Sequence, residues 1–164
     1  MIIEIFVDGS SSNNGKENCQ AGFGVYFPTS EHLNISQKID ETNYKVSNNV
    51  GEIMACIEGI KLINTTYELI SKIIIYSDSE YTINAITLWA KSWEKKGWVK
   101  SDKKPIKNLE LIQELFELYN NQNIEFIHVR SHQKEPENKK NSEYYKWYGN
   151  KMADILAKKS INAL

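Results

Sequence analysis

Cysteine is scarce in this chain. Cys19 and Cys56 are the only two in 164 residues. Two such thiols make neither a disulfide scaffold nor a zinc framework. Cys56 lies on an apolar helical face and reads as a buried free thiol, which points to a reducing compartment. Long apolar runs are also missing, so no segment is expected to span a membrane. The chain enters a strand-like run at Ile2, which leaves no room for a signal or transit peptide, and a cytoplasmic location is expected. Net charge is nearly absent: 20 Lys and Arg stand against 21 Asp and Glu, a formal −1. The total therefore gives no sign of a polyanionic partner. Neither an internal repeat nor an interdomain linker is visible, and the length fits one domain over residues 1–164.

Charge is present locally. From Lys91 to Lys107 seven lysines face only Glu94 and Asp102, a net of +5. Such a cluster marks an electrostatic footprint that the total conceals. Trp89, Trp93 and Trp98 are interleaved with it. The alternation of apolar residues gives a first strand from Ile2 to Asp8, then strands over Ala21–Phe27 and Leu33–Ile39. Ile53, Cys56, Ile57, Ile60 and Ile63 recur at helical spacing. Lys72–Tyr76 is an unbroken apolar run, as in a strand covered on both faces. Ser79–Leu88 reads as a helix, followed by a short basic helix around Lys91–Lys96. Leu109, Ile112, Leu115, Phe116 and Tyr119 mark an amphipathic helix. Ile124–Val129 is a fifth strand, and Met152, Ile155 and Leu156 lie on a last helix. Strands first in a meander, then alternating with helices, predict an α/β domain: a mixed sheet with helices on both faces.

Four acids fall at element boundaries. Asp8 and Asp78 close two apolar strands, Glu52 opens a helix, and Asp154 lies on the last one. A buried carboxylate is costly unless it is paired or binds a metal. Carboxylates brought to one sheet edge suit a hard divalent cation with oxygen ligands. Each acid also has an ordinary reading. Glu52 stands three residues after Asn49, as in a capping box. Asp8 before Gly9 suits a turn, Asp78-Ser79 suits a helix cap, and Asp154 suits a solvated helix face.

The order of four blocks adds to this. Phe6-Val7-Asp8-Gly9-Ser10, Ser47-Asn48-Asn49-Val50-Gly51-Glu52-Ile53-Met54-Ala55, Ile75-Tyr76-Ser77-Asp78-Ser79 and Gly149-Asn150-Lys151-Met152-Ala153-Asp154 resemble the signature blocks of type 1 ribonuclease H, in that family's order. Trp89–Asn108, with Gly97-Trp98 and Lys103-Lys104-Pro105, resembles the basic protrusion of its cellular members. The resemblance covers nearly the whole chain and implies a five-stranded mixed sheet in the order 3-2-1-4-5. It also implies hydrolysis of the RNA strand of RNA–DNA hybrids with two Mg²⁺ ions, Mn²⁺ being a possible substitute, leaving 3′-hydroxyl and 5′-phosphate ends. Asp8, Glu52, Asp78 and Asp154 would be the metal ligands and catalytic acids, with Asp8 the candidate bridging ligand. His132 would assist proton transfer or product release, since an imidazole titrates near neutrality.

For the substrate, the resemblance places Asn14 and Asn48 beside the RNA strand, where an amide can read the 2′-hydroxyl. Lys45, Ser47 and Asn108 would hold a DNA phosphate; where some relatives have Arg, Lys45 gives a point charge in place of a bidentate grip. Trp89, Trp93, Lys95, Lys96 and Ser101 would meet the sugar–phosphate backbone. A monomer without a separate hybrid-binding domain is expected. Two departures from the family pattern stand out. Glu80 occupies a place where many bacterial relatives have Gln. The segment between His132 and Asp154 is long and carries Tyr144, Tyr145, Trp147 and Tyr148. These aromatics could extend the last helix and pack on the sheet, or form a flap beside the site. A metal-dependent nuclease of the same fold acting on DNA or on other RNA structures and a non-catalytic binding module are the competing readings; a panel of hybrid, RNA and DNA substrates separates them.

Overall fold

Alternating Ile, Phe and Val residues build the longest strand, β1 (Ile2–Ser12). The computed structural model of the protein describes residues 1–13, 17–42 and 44–164. β2 (Gln20–Tyr26) and β3 (Ile35–Lys38) follow, with a short 3₁₀ turn, Glu31–Leu33, before β3. α1 (Asn48–Thr66) crosses to β4 (Lys72–Ser77). α2 (Glu80–Asn84), a π-helical turn (Ala85–Trp89) and α3 (Ala90–Lys95) run on continuously. α4 (Leu109–Asn121), β5 (Ile124–His128) and α5 (Ser142–Ser160) complete the chain.

The sheet order is β3-β2-β1-β4-β5. β1 pairs antiparallel with β2 and parallel with β4; β3 is antiparallel to β2, and β5 parallel to β4. The expected order and mixed character are therefore present. Successive side chains of a strand point to opposite faces, and β1 uses both. Ile3, Ile5 and Val7 join Ile53, Ile57 and Ile60 of α1 and Ile112 and Leu115 of α4 in the larger core. Phe6 points the other way, among Tyr26, Tyr76 and Ala153 of α5. Each such buried large side chain contributes about 1.5–3 kcal/mol.

Helix crossovers between parallel strands return the chain to the starting edge. The amino ends of α1 and α4 thus lie at the edge where β1 and β4 finish their parallel ladder. This edge collects the candidate acids.

Two local expectations change. β1 does not stop at Asp8, because Gly9–Ser12 stay paired to β2, out to Ser12 opposite Gln20. Cross-strand pairing outweighs the turn preference of a Gly/Ser run. The β1–β4 ladder does end there, at Val7 opposite Ser77. The cap of α1 is Ser47, whose Oγ accepts from the Val50 N–H (3.2 Å), and not Asn49. Glu52 is thereby released from a capping role. Of the aromatic segment, Tyr145 takes the first arrangement, on the sheet, while Trp147 on the same extended helix lies beside the site. Tyr145 on α5 packs against Phe6 and Tyr76, and the hydroxyls of Tyr76 and Tyr145 donate to Glu4 at 2.6 and 2.9 Å.

Candidate active site

Asp8 sits at the residue where β1 parts from β4. The residue is 6% exposed. Glu52, in the first turns of α1, is 5% exposed. Asp78 follows β4 directly and is half-buried. One oxygen of each of the three lies within 4.8 Å of the others.

Glycines allow this convergence. A Cβ on Gly9 would lie 2.7 Å from both the Asn48 carbonyl and the Glu52 nitrogen. Only a bare backbone lets the first turn of α1 settle on β1 beside Asp8. The Gly9 N–H then donates to Asp8 Oδ1 and to Glu52 Oε1, both at 3.0 Å. Gly24 does the same on the opposite face. It is the β2 partner of Asp8, and a Cβ there would lie 2.6 Å from the Ala153 carbonyl and the Ala157 nitrogen. This close approach brings α5, and with it Asp154, to the row of Asp8.

Three carboxylates in one dry place resist ionisation. Burial pushes Asp8 up from 3.8 to about 7; the charges of Asp78 and Asp154 push the same way, against a hydrogen bond from Glu52. Burial also holds Glu52 well above the usual carboxylate range, helped by its hydrogen bond to Asp8 and the charges of Asp8 and Asp78. Asp78 is raised mainly by burial and by Asp154, while Glu52 and the nearby His132 and His128 oppose the rise. Ser77 Oγ donates to Glu52 Oε2 at 3.4 Å. Among the described residues no cation side chain pairs with Asp8, Glu52 or Asp78 within 4.0 Å. A cluster of buried acids that lacks a fixed counter-charge is matched to a mobile one, a divalent cation.

Asp154 stands slightly apart. It is not one of the close three, and its Oδ2 is 3.0 Å from Lys158 Nζ, one helical turn on. It does line a cleft of about 200 Å³ together with Asp78, His132, Gln133, Trp147 and Asn150. His132 is exposed and has a positive φ of 54°, in the loop after β5. Asn150 was not singled out from the sequence. It is 9% exposed, and its Oδ1 is the buried side-chain atom without a hydrogen-bond partner among the described residues. The signal that could have found it is its place four residues before Asp154, on the same helix face.

The expected substrate residues lie as follows. Ser47 caps α1, and Asn108 occupies the cap position of α4 with φ of 59°. Lys45 is exposed. Asn48 Oδ1 accepts from Ser11 Oγ at 2.7 Å. Asn14 lies outside the described residues. Trp89 is 38% exposed and 5.8 Å from Trp93, ring to ring. Trp93 also packs on the larger core. Lys95, Lys96 and Ser101 are exposed. Trp98 is a packing residue, edge-on to Phe116 at 6.0 Å. Glu80 is mostly exposed and points toward His128, with 3.9 Å between Oε1 and Nε2. No helix is long and apolar enough to cross a membrane, among the described residues.

Comparison with known proteins agrees with this geometry. The RNase H family model matches residues 2–162. Ribonuclease H of Schizosaccharomyces pombe is 34% identical over 158 residues, 96% of this chain and 52% of that protein. Ribonuclease H of Clostridium botulinum is 34% identical over 129 residues, 78% of this chain and 82% of that protein. The chain thus spans about half the length of the yeast relative. The solution structure of the PFV RNase H domain superposes with a TM-score of 0.69 at 21% identity, over 96% of this chain and 93% of that one, a likeness of fold. With one family model covering almost every residue and the acids gathered where the sheet's parallel ladder ends, the chain belongs to the RNase H family.

Proposed function

We propose that this chain hydrolyses the RNA strand of RNA–DNA hybrids, leaving 3′-hydroxyl and 5′-phosphate ends. The observation that carries this reading is the convergence of Asp8, Glu52 and Asp78 within 4.8 Å, the first two buried, the third half-buried, and none with a fixed counter-charge. These three would hold divalent cations, with Mg²⁺ the expected ion, and Asp154 would complete the set from α5. Two bound cations supply an activated water and charge neutralisation at the phosphate.

The protein's own groups do the rest. Asp8, flanked by Glu52 and Asp78, fixes where the scissile phosphate must lie. The Gly9 N–H holds the Asp8 and Glu52 oxygens in place. His132, which lines the cleft with Asp78, moves a proton or helps the product leave. Asn48 faces the RNA backbone. Lys45, Ser47 and Asn108, at the amino ends of two helices, hold a DNA phosphate. Trp89 and Trp93 offer an aromatic shelf, and Lys95, Lys96 and Ser101 offer donors to the DNA strand.

The test is incubation with hybrid, single-stranded RNA, duplex RNA and duplex DNA, with Mg²⁺, with Mn²⁺ and with EDTA. Internal cuts in the RNA of the hybrid alone, dependent on the metal, are expected. Equal cutting of duplex DNA would favour the other nuclease reading.

A further inference from the structure

A second groove adjoins the catalytic cleft. Its volume is about 360 Å³, and Arg130, Lys134, Lys146, His128, Glu143 and Trp147 are among the residues lining it. Gln133 and Trp147 line both hollows, so the two adjoin across a shared wall. The groove is built from the long segment after β5 and the first turns of α5. Nothing in the reading above uses it.

Its wall is held in place. The Trp147 indole N–H donates to the Gln133 carbonyl at 3.0 Å and ties the loop to the helix. Tyr144 packs on Trp147 with ring centroids 5.5 Å apart, and Lys151 Nζ lies 5.0 Å over the indole. Tyr144 in turn stacks on Tyr148 at 6.2 Å and 8°. Arg130 and Lys134 approach from the loop, and Lys146 from α5. None of these three cations has an ion-pair partner within 4.0 Å among the described residues. Glu143 is the one carboxylate lining the groove, while His128 is turned to Glu80.

Unpaired cations set around a fixed indole form the composition that tracks a nucleic-acid strand: charge for the phosphates and an aromatic face for sugar or base. A strand whose phosphate sits at Asp8, Glu52 and Asp78 would lie in the cleft and reach this groove across the shared Gln133 and Trp147. The lysines of α3 and the loop after it lie in another part of the chain, before α4, and serve the other strand. We propose that the groove of Arg130, Lys134, Lys146 and Trp147 binds the backbone of the cleaved RNA strand beyond the scissile phosphate. This rests on the hybrid-cleaving reading and extends it to a further binding site.

The triple variant Arg130→Ala, Lys134→Ala, Lys146→Ala tests it, with Lys146→Arg as the charge-conserving control. Affinity for a hybrid is measured against salt in an Asp78→Asn background, so that turnover plays no part. Each lost phosphate contact lowers the slope of log affinity against log salt by roughly 0.7–0.9, so a total loss of about 2 is expected. Between 50 and 200 mM salt the parent should then lose roughly 16-fold more affinity than the triple variant. With Asp78 restored, the triple variant should show a raised KM, with kcat kept within roughly twofold. A photo-crosslinker at position 134 should label the RNA strand. An unchanged slope and KM, or labelling confined to the DNA strand, overturns the proposal. Failure of the unsubstituted protein to cut any hybrid would instead overturn the reading on which it rests, and the substrate panel detects that separately.

Discussion

Replacing Asp8 with Asn should stabilise the cation-free protein at pH 8 and leave it almost unchanged near pH 4. The Asp8 carboxyl is raised from 3.8 to about 7, first by burial and then by the charges of Asp78 and Asp154. The native state therefore holds a proton that the unfolded chain has released between these two values. Stability is full below pH 3.8, falls as pH rises, and levels off above about 7. At about 1.4 kcal/mol per pKa unit, this one carboxyl accounts for up to about 4 kcal/mol. Asn carries no charge to desolvate, and its Oδ1 can still accept from the Gly9 N–H. Urea unfolding from pH 4 to 8 in EDTA reads the effect. The variant and parent should coincide at the acid end and part progressively, by as much as about 4 kcal/mol, by pH 8. Saturating Mg²⁺ should close much of that gap, because a ligand bound only by the native state stabilises it. A stability difference that does not vary with pH, or an Asn variant less stable than its parent at pH 8, would show that the Asp8 charge is not what costs stability.

Three further outcomes follow from the same structure. His132→Ala should lower kcat by about 10²–10⁴-fold without abolishing cleavage, because the acids remain in place; full kcat across neutral pH would remove His132 from the reaction. Neutralising Lys95, Lys96, Lys103 and Lys104 should raise KM for the hybrid and flatten its salt dependence by roughly 0.9 per lost phosphate contact, as read by kinetics in a salt series. Gly24→Ala should displace α5, since its Cβ would lie 2.6 Å from the Ala153 carbonyl and the Ala157 nitrogen; a melting curve and a crystal structure should show lost stability, by about 1–3 kcal/mol for overpacking, and an altered Asp154 position, and neither change would mean that α5 is not held by this contact.

Much of this was legible in the sequence because strong periodicity and long-range chemistry coincide. The apolar runs of Ile2–Val7 and Ile73–Ile75 are strands in any context that buries them. Asp8, Glu52 and Asp78 stood out because a buried acid has few stable uses. The boundaries were less legible. Gly9–Ser12 has the composition of a turn, and only the partner strand Gln20–Tyr26 keeps it extended. Asn49 and Ser47 both have side chains able to cap a helix, and local sequence does not rank them. The π-helical turn at Ala85–Trp89 changes the spacing that relates Trp89 to the helix before it, and no residue type announces such a turn. His132 adopts a left-handed backbone, which histidine enters more often than most residues but still uncommonly, so its type alone does not mark the position. Asn150 is not legible in the sequence because its distinguishing feature, a buried Oδ1 without a partner among the described residues, is a property of packing. The close approaches at Gly9 and Gly24 are equally tertiary, since a glycine in a strand reads first as a weak point.

The proposed activity requires that the carboxylates gathered at Asp8 hold the metal that cuts RNA in a hybrid. Cleavage of an RNA–DNA hybrid by Asp78→Asn and by the unsubstituted protein, side by side in Mg²⁺, tests it most directly, with hybrid affinity and circular dichroism recorded on the same samples. Metal-dependent cutting of the RNA strand is expected from the unsubstituted protein, and from Asp78→Asn no detectable cutting, with fold and hybrid affinity retained. Near-parental turnover in the pure Asp78→Asn protein would contradict it.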